Sequence, residues 1–212
     1  MAFQIAAIAS YGQGSVSLEQ KPFKVEKPVN LELERFLAAY PSLENLLGSE
    51  KELFYWVNLL RMDPAGFGKH YLEPFLKEFP ELRGGNAQSL SRELASAGPL
   101  SFFAPASHLL VEANRHATDL AKKQKRLSHS ASDGRNFQQR MADAGVRNCA
   151  GENIYEGEAD ALKAVLLLLI DQGVPDLGHR KTLLNPVFNQ MGVSAVKAAP
   201  ERYFIVQLFS CK

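Results

Sequence analysis

Met191-Gly192-Val193-Ser194-Ala195-Val196 and Tyr203-Phe204-Ile205-Val206-Gln207-Leu208-Phe209 decide the fold class. Both segments read with the two-residue period of strands, and Ala198-Ala199-Pro200 joins them at hairpin length. Upstream of Asn185-Pro186 the prevailing period is helical, with one short exception from Gly151 to Tyr155 that reads as a strand. Helices segregated around a small antiparallel sheet give an α+β fold, not a parallel βαβ one.

The helices announce themselves one by one. Ser49 with Glu52 forms a capping box, and Leu53, Trp56, Val57 and Leu60 follow on one face until Asp63-Pro64 ends the run. A second helix spans Ala106 to about Lys123, with Leu109, Ala113, His116 and Leu120 along one side. Asp133-Gly134 opens a short one carrying Phe137, Met141 and Ala144, closed at Gly145. Ala159 to Asp171 is helical, and its apolar run Ala164 to Ile170 is far short of the ~20 residues a bilayer needs. Residues 1–48 therefore read as an arm with a short helix between Leu31 and Leu47, and residues 49–212 as the domain. Ala7-Ile8-Ala9 has the form of a signal cleavage site, yet the first cation is Lys21, so residues 1–10 suit a signal remnant or an ordinary arm.

Composition narrows function. With 24 Lys plus Arg against 23 Asp plus Glu, the formal charge of +1 excludes a nucleic-acid binder that works by basic excess. The cluster Lys122, Lys123, Lys125 and Arg126 suits a solvated helix C-terminus. Cys149 and Cys211 make no CxxC motif, which removes zinc-ribbon and thioredoxin readings. They are a disulfide if the chain is exported and buried thiols if it is cytosolic. Flanking the first and last strands, they belong at one sheet edge, where a bridge is expected.

Five histidines can be weighed singly. His70 and His108 read as surface residues, and His116, on an apolar helix face, as a satisfied core residue. His129 and His179 stand in polar, turn-like contexts, and Glu152 opens the short strand between them. Two imidazoles and a carboxylate suit a divalent-metal site or an acid–base pair.

His129-Ser130, Gly151-Glu152-Asn153-Ile154, Gly178-His179-Arg180, Leu183-Leu184-Asn185-Pro186 and Met191-Gly192-Val193 occur in that order. Together with Asn58-Leu59-Leu60-Arg61 and Asp63-Pro64, they resemble bacterial members of the CAP superfamily, the cysteine-rich secretory, antigen 5 and pathogenesis-related proteins. The resemblance implies an α-β-α sandwich and an open cleft holding two histidines and two acids. The matching residues are His129, Glu152 and His179, with Asp171 where many members carry glutamate. It further implies an extracytoplasmic, secreted or periplasmic, binding module. The four residues are expected to converge on a divalent ion, zinc before others, beside a lipid, sterol or glycan ligand. Two other readings share the cleft: a metal-dependent hydrolase, and a tetrad that only hydrogen-bonds the loops.

Overall fold

The computed structural model describes residues 10–11 and 23–211. In chain order the elements are β1 (Ser10–Tyr11), α1 (Leu31–Ala38), α2 (Gly48–Met62), α3 (Pro64–Phe67), α4 (Glu73–Glu78) and α5 (Gly85–Ser96). They continue with β2 (Ala104–Pro105), α6 (Ser107–Asp119), α7 (Phe137–Asp143) and β3 (Ala150–Gly157). The last are α8 (Ala161–Ile170), α9 (Gly178–Leu183), β4 (Gln190–Ala199) and β5 (Arg202–Ser210). The sheet order is β1-β3-β5-β4-β2. Its centre, β3-β5-β4, is antiparallel, as the alternating segments require. The two-residue strands β1 and β2 add parallel edges against β3 and β4, too short to leave any period in the sequence.

Period two sorts the side chains of β5 between two helical layers. Phe204, Val206 and Leu208 pack with Leu109 and Ala113 of α6 and Phe137 and Met141 of α7. Ile205 and Phe209 enter the larger core built from α2, α5 and α8. The result is the expected α-β-α sandwich. α8 is apolar at every position but Lys163 and accordingly buried on nearly every side. Among the described residues no helix is long and apolar enough to cross a membrane.

Two motif glycines mark close approaches. A Cβ on Gly192 would lie 2.2 Å from the backbone carbonyl carbon of Leu109, so only glycine lets α6 press onto β4. On Gly151 it would meet the Phe188 ring at 2.9 Å and Thr182 of α9 at 3.1 Å. Cys149 and Cys211 are bridged, with Cα atoms 5.8 Å apart, joining the start of β3 to the end of β5.

The start of α2 departs from expectation. The helix begins at Gly48, and Glu50, not Glu52, reaches back to accept the Leu47 N–H at 2.9 Å. The other Glu50 oxygen accepts the Ala195 N–H of β4 at 2.8 Å, so a buried carboxylate caps a helix and tethers the sheet. α6 passes at Asp119 into a π-helical turn, 120–124, ending at Lys125 in left-handed backbone. Leu33 of α1 is buried in the main core, and the Tyr55 hydroxyl donates to the Pro28 carbonyl, so residues 28–38 pack onto α2. The signal-like residues 1–9 lie outside the described residues, and of residue 10 only its backbone in β1 is described.

Candidate functional site

Successive side chains of β3 point to opposite faces of the sheet, and this divides the site. Glu152, fully buried, turns toward α6 and α7. Its Oε1 lies 2.7 Å from His129 Nδ1, and its Oε2 accepts from Arg140 Nη2 at 2.6 Å. A carboxylate only accepts, so the proton of the first bond sits on Nδ1 of His129. Arg140 Nη1 donates to Glu112 Oε1 of α6 at 3.1 Å, and Nη2 also reaches the His129 carbonyl at 3.1 Å. The sequence reading missed Glu112 and Arg140. Their signal was a charged residue on the apolar side of a predicted helix, beside Leu109 and Ala113 in one case and Phe137 and Met141 in the other.

His116 belongs to the same cluster. Its Nε2 donates to the Ser128 carbonyl at 2.8 Å and lies 3.9 Å from Glu152 Oε2. The expectation of a satisfied core histidine holds for one nitrogen only, because Nδ1 is buried without a partner. Burial opposes charge at both carboxylates, with unequal results. At Glu152 it is outweighed by Arg140 and the His129 hydrogen bond, which hold the carboxyl below the usual range. At Glu112 it wins over Arg140 and raises the pKa. His116 is pushed down, by burial first and Arg140 next, against the pull of Glu152.

The loop carrying His129 is held from three sides. His116 binds the Ser128 carbonyl, Arg140 the His129 carbonyl, and Asp119 accepts from both the N–H (2.8 Å) and the hydroxyl of Ser132. Gln124 Nε2 ties Asp119 to the Ser130 carbonyl, 2.8 Å from each. Burial works against the Asp119 carboxylate, but these hydrogen bonds bring its pKa down to about 2.

Asn153 turns the other way, and its Nδ2 donates to the His179 carbonyl of α9 at 3.3 Å. Asp171 caps α8 in left-handed backbone, φ 56°. Its Oδ1 lies 2.5 Å from His179 Nδ1, and its Oδ2 accepts the Arg180 N–H at 3.1 Å. His179 Nε2 is buried without a partner. The shorter aspartate thus reaches its histidine directly.

The four residues expected from the sequence therefore form two acid–imidazole pairs, His129–Glu152 and Asp171–His179. Among the described residues no three His, Cys, Asp or Glu side chains are grouped as an ion would require. The Arg140 cation occupies the second oxygen of Glu152, and each carboxylate is engaged by its own imidazole Nδ1, an orientation that metal-ligating histidines also adopt. The four therefore stand as two pairs and not as one four-donor cluster.

Two cavities lie beside the pairs. An open cleft of about 570 Å³ is lined by His129, Ser130, Asn136, Phe137, Pro175 and Asp176, among others. A small one of about 40 Å³ is lined by Leu127, Tyr155, Asp171, Gln172, Val174 and His179, among others.

Comparison with known proteins places these features. The family profile described as "Cysteine-rich secretory protein family", CAP, matches residues 81–211. No curated protein sequence gives a significant match. Among solved structures, an extracellular protein containing an SCP domain from Bacillus anthracis aligns with 88% of this chain at 19% identity and a TM-score of 0.51. The alignment covers 45% of that protein, so this chain spans less than half its length. An outer surface protein of Borrelia burgdorferi aligns with 77% of this chain and 92% of its own at 17% identity, also with a TM-score of 0.51. At such identities the likeness is one of fold.

Proposed function

The chain belongs to the cysteine-rich secretory protein (CAP) family, and from that premise we propose that it is an extracytoplasmic binding module whose cleft beside His129 takes a small hydroxyl-rich ligand of the glycan class. The observation carrying this reading is the cleft of about 570 Å³, walled by an imidazole, a hydroxyl, two amides, a carboxylate and an aromatic ring. Such walls suit a sugar, with hydrogen bonds at its rim and a ring against its face, better than a sterol or fatty acid, which needs a largely apolar pocket. The buried chain Glu112–Arg140–Glu152 supports it by fixing the His129 imidazole in one orientation. The Cys149–Cys211 bridge supports an oxidising compartment.

A second reading rests on the 2.7 Å contact between His129 and Glu152. A carboxylate that orients an imidazole is also the arrangement of a general base, so the cleft suits hydrolysis of a bound glycan as well as its retention. Metal-dependent variants of either reading need an ion held by fewer than the four residues, because no three such side chains are grouped among the described residues.

Calorimetric titration of tag-free protein with an N-acetylglucosamine trimer, oleate and zinc chloride separates these outcomes. Saturable heat with the trimer, weakened at least tenfold by Asn136→Ala, is the expected result. Binding of oleate alone would overturn the glycan reading. Stoichiometric zinc binding lost in both His129→Ala and His179→Ala would restore the four-residue metal centre.

A further inference from the structure

Two stretches of chain line both cavities. Residues 127–130 give Leu127 to the small cavity and His129 and Ser130 to the cleft. Residues 171–176 give Asp171, Gln172 and Val174 to the small cavity and Pro175 and Asp176 to the cleft. The two spaces thus have the same two stretches of chain among their walls.

The second stretch is built to move as a unit. It begins and ends at non-glycine residues in left-handed backbone, Asp171 (φ 56°) and Leu177 (φ 54°), with Gly173 (φ 79°) between them. Left-handed backbone is strained for a β-carbon-bearing residue and is a recurrent feature of switch segments. Among the described residues, Gln172, Gly173, Pro175 and Asp176 form no hydrogen bond. Its ends are fixed, Asp171 by Asn86 Nδ2 at its carbonyl (2.6 Å) and by His179 and Arg180 at its carboxylate, Leu177 by the Lys181 N–H at its carbonyl (3.0 Å). Between them only two turn bonds occur, Val174 N–H to the Asp171 carbonyl (3.1 Å) and Leu177 N–H to the Val174 carbonyl (3.2 Å). Val174, 3% exposed, is the one buried side chain between those ends. Behind it lies His179 Nε2, buried and unpartnered. With Nδ1 donating to Asp171, that nitrogen offers a lone pair, and a buried acceptor without a donor favours any opening that supplies one.

We propose that residues 172–177 form a gate whose opening joins the His129 cleft to the small cavity at His179 and exposes its buried Nε2. The gate does not depend on the glycan reading above, and its test uses no ligand. Diethyl pyrocarbonate acylates accessible neutral imidazoles, and mass mapping resolves the rate at each histidine. Val174→Ser removes that buried apolar side chain and is expected to raise modification of His179 about tenfold. His116 is as deeply buried but lies across the sheet, so its rate stays unchanged. Unchanged modification of His179, or equal acceleration at both histidines, would overturn the gate. Hydrogen exchange of the unaltered protein decides the matter if that variant does not fold. Val174 and Leu177 amides are expected to exchange through local openings insensitive to low urea, whereas α8 amides follow global unfolding. Protection of these two amides equal to that of α8 would sink the proposal.

Discussion

Arg140 Nη2 stands 2.6 Å from Glu152 Oε2, with both side chains closed to solvent. This contact crosses from α7 to the sheet, and the same guanidinium reaches Glu112 of α6 and the His129 carbonyl. One cation thus fixes two carboxylates and the loop above them. Its burial ties the shape of the cleft to the stability of the α6–α7 layer.

Removing that cation takes the shared counterion from two buried carboxylates, leaving Glu112 with Arg115 alone (3.3 Å) and Glu152 with the His129 bond. Breaking one side of a buried ion pair costs about 3–5 kcal/mol, far more than the pair contributes over an apolar replacement. Arg140→Met is therefore expected to lower the urea unfolding free energy by about 3 kcal/mol or more. Arg140→Lys recovers only part, since a single ammonium cannot serve Glu112, Glu152 and the His129 carbonyl together. A loss below about 1 kcal/mol for the methionine variant, against the range for buried pairs, would mean that water already reaches the cluster.

His116 gives the protein an acid-sensitive step. Its folded pKa is lowered, first by burial, so the unfolded chain binds the proton more readily. The stability it contributes is complete above the unfolded value of about 6.5 and falls as pH drops from there toward the folded value. Glu112, whose folded pKa is raised, works in the opposite sense just above the ordinary carboxylate range. His116→Gln, which can still donate to the Ser128 carbonyl, should flatten the decline below pH 6.5. Thermal unfolding of both proteins across that range checks it; parallel curves would exclude His116 as the source.

Legibility in the sequence followed periodicity. The β4–β5 hairpin and the buried α8 were readable because every second residue, or nearly every residue, is apolar. His129, Glu152 and His179 stand out by their polar contexts, whereas Asp171 enters only through the family resemblance. Their division into two pairs was not legible, although period two contains the reason: Glu152 and Asn153, as neighbours on one strand, must face opposite layers. Arg140 and Glu112 stayed hidden because a helical charge reads as solvated unless its burial is known. The cap at Glu50 was misassigned to Glu52 because Ser49 offered a competing box, and only the Ala195 N–H on another strand decides between them.

Asp119 holds the His129 loop through Ser132 and Gln124. Its pKa is about 2 in the folded protein, where hydrogen bonds overcome burial, against about 3.9 in the unfolded chain. The depression corresponds to about 2–3 kcal/mol, nearer about 1 once solvent screening at the boundary is allowed for. That stability is fully present above about pH 4 and is lost as pH falls through about 2. Asp119→Asn should remove about 1 kcal/mol at pH 7 and speed amide exchange at Ser132 more than at any α6 core residue. Unchanged exchange at Ser132 would show that the loop is held by His116 and Arg140 alone.

Arg61 tests the opposite face of the sandwich. It is completely buried, pairs with no carboxylate among the described residues, and stacks on Phe103 with its guanidinium carbon 3.8 Å from the ring centre. Burial lowers its pKa to about 10, so it stays charged at neutral pH. Its donors go to four backbone carbonyls: Nε to Ser101 (2.6 Å), Nη1 to Leu183 (2.9 Å) and Asn185 (3.0 Å), and Nη2 to Phe188 (3.1 Å). Three of these lie between the end of α9 and the start of β4, so the cation pins to α2 the turn that follows the His179 helix. Lysine presents its donors from one point and cannot span this set. Each carbonyl left without a donor costs about 1–3 kcal/mol. Arg61→Lys is therefore expected to lose about 3 kcal/mol in urea unfolding, and Arg61→Met, which abandons all four, more than that. Exchange at the α9 amides should quicken in both. If Arg61→Lys unfolds within about 1 kcal/mol of the unaltered protein, less than a single orphaned carbonyl would cost, the fork is not what fixes the turn, and packing against Phe103 must do so.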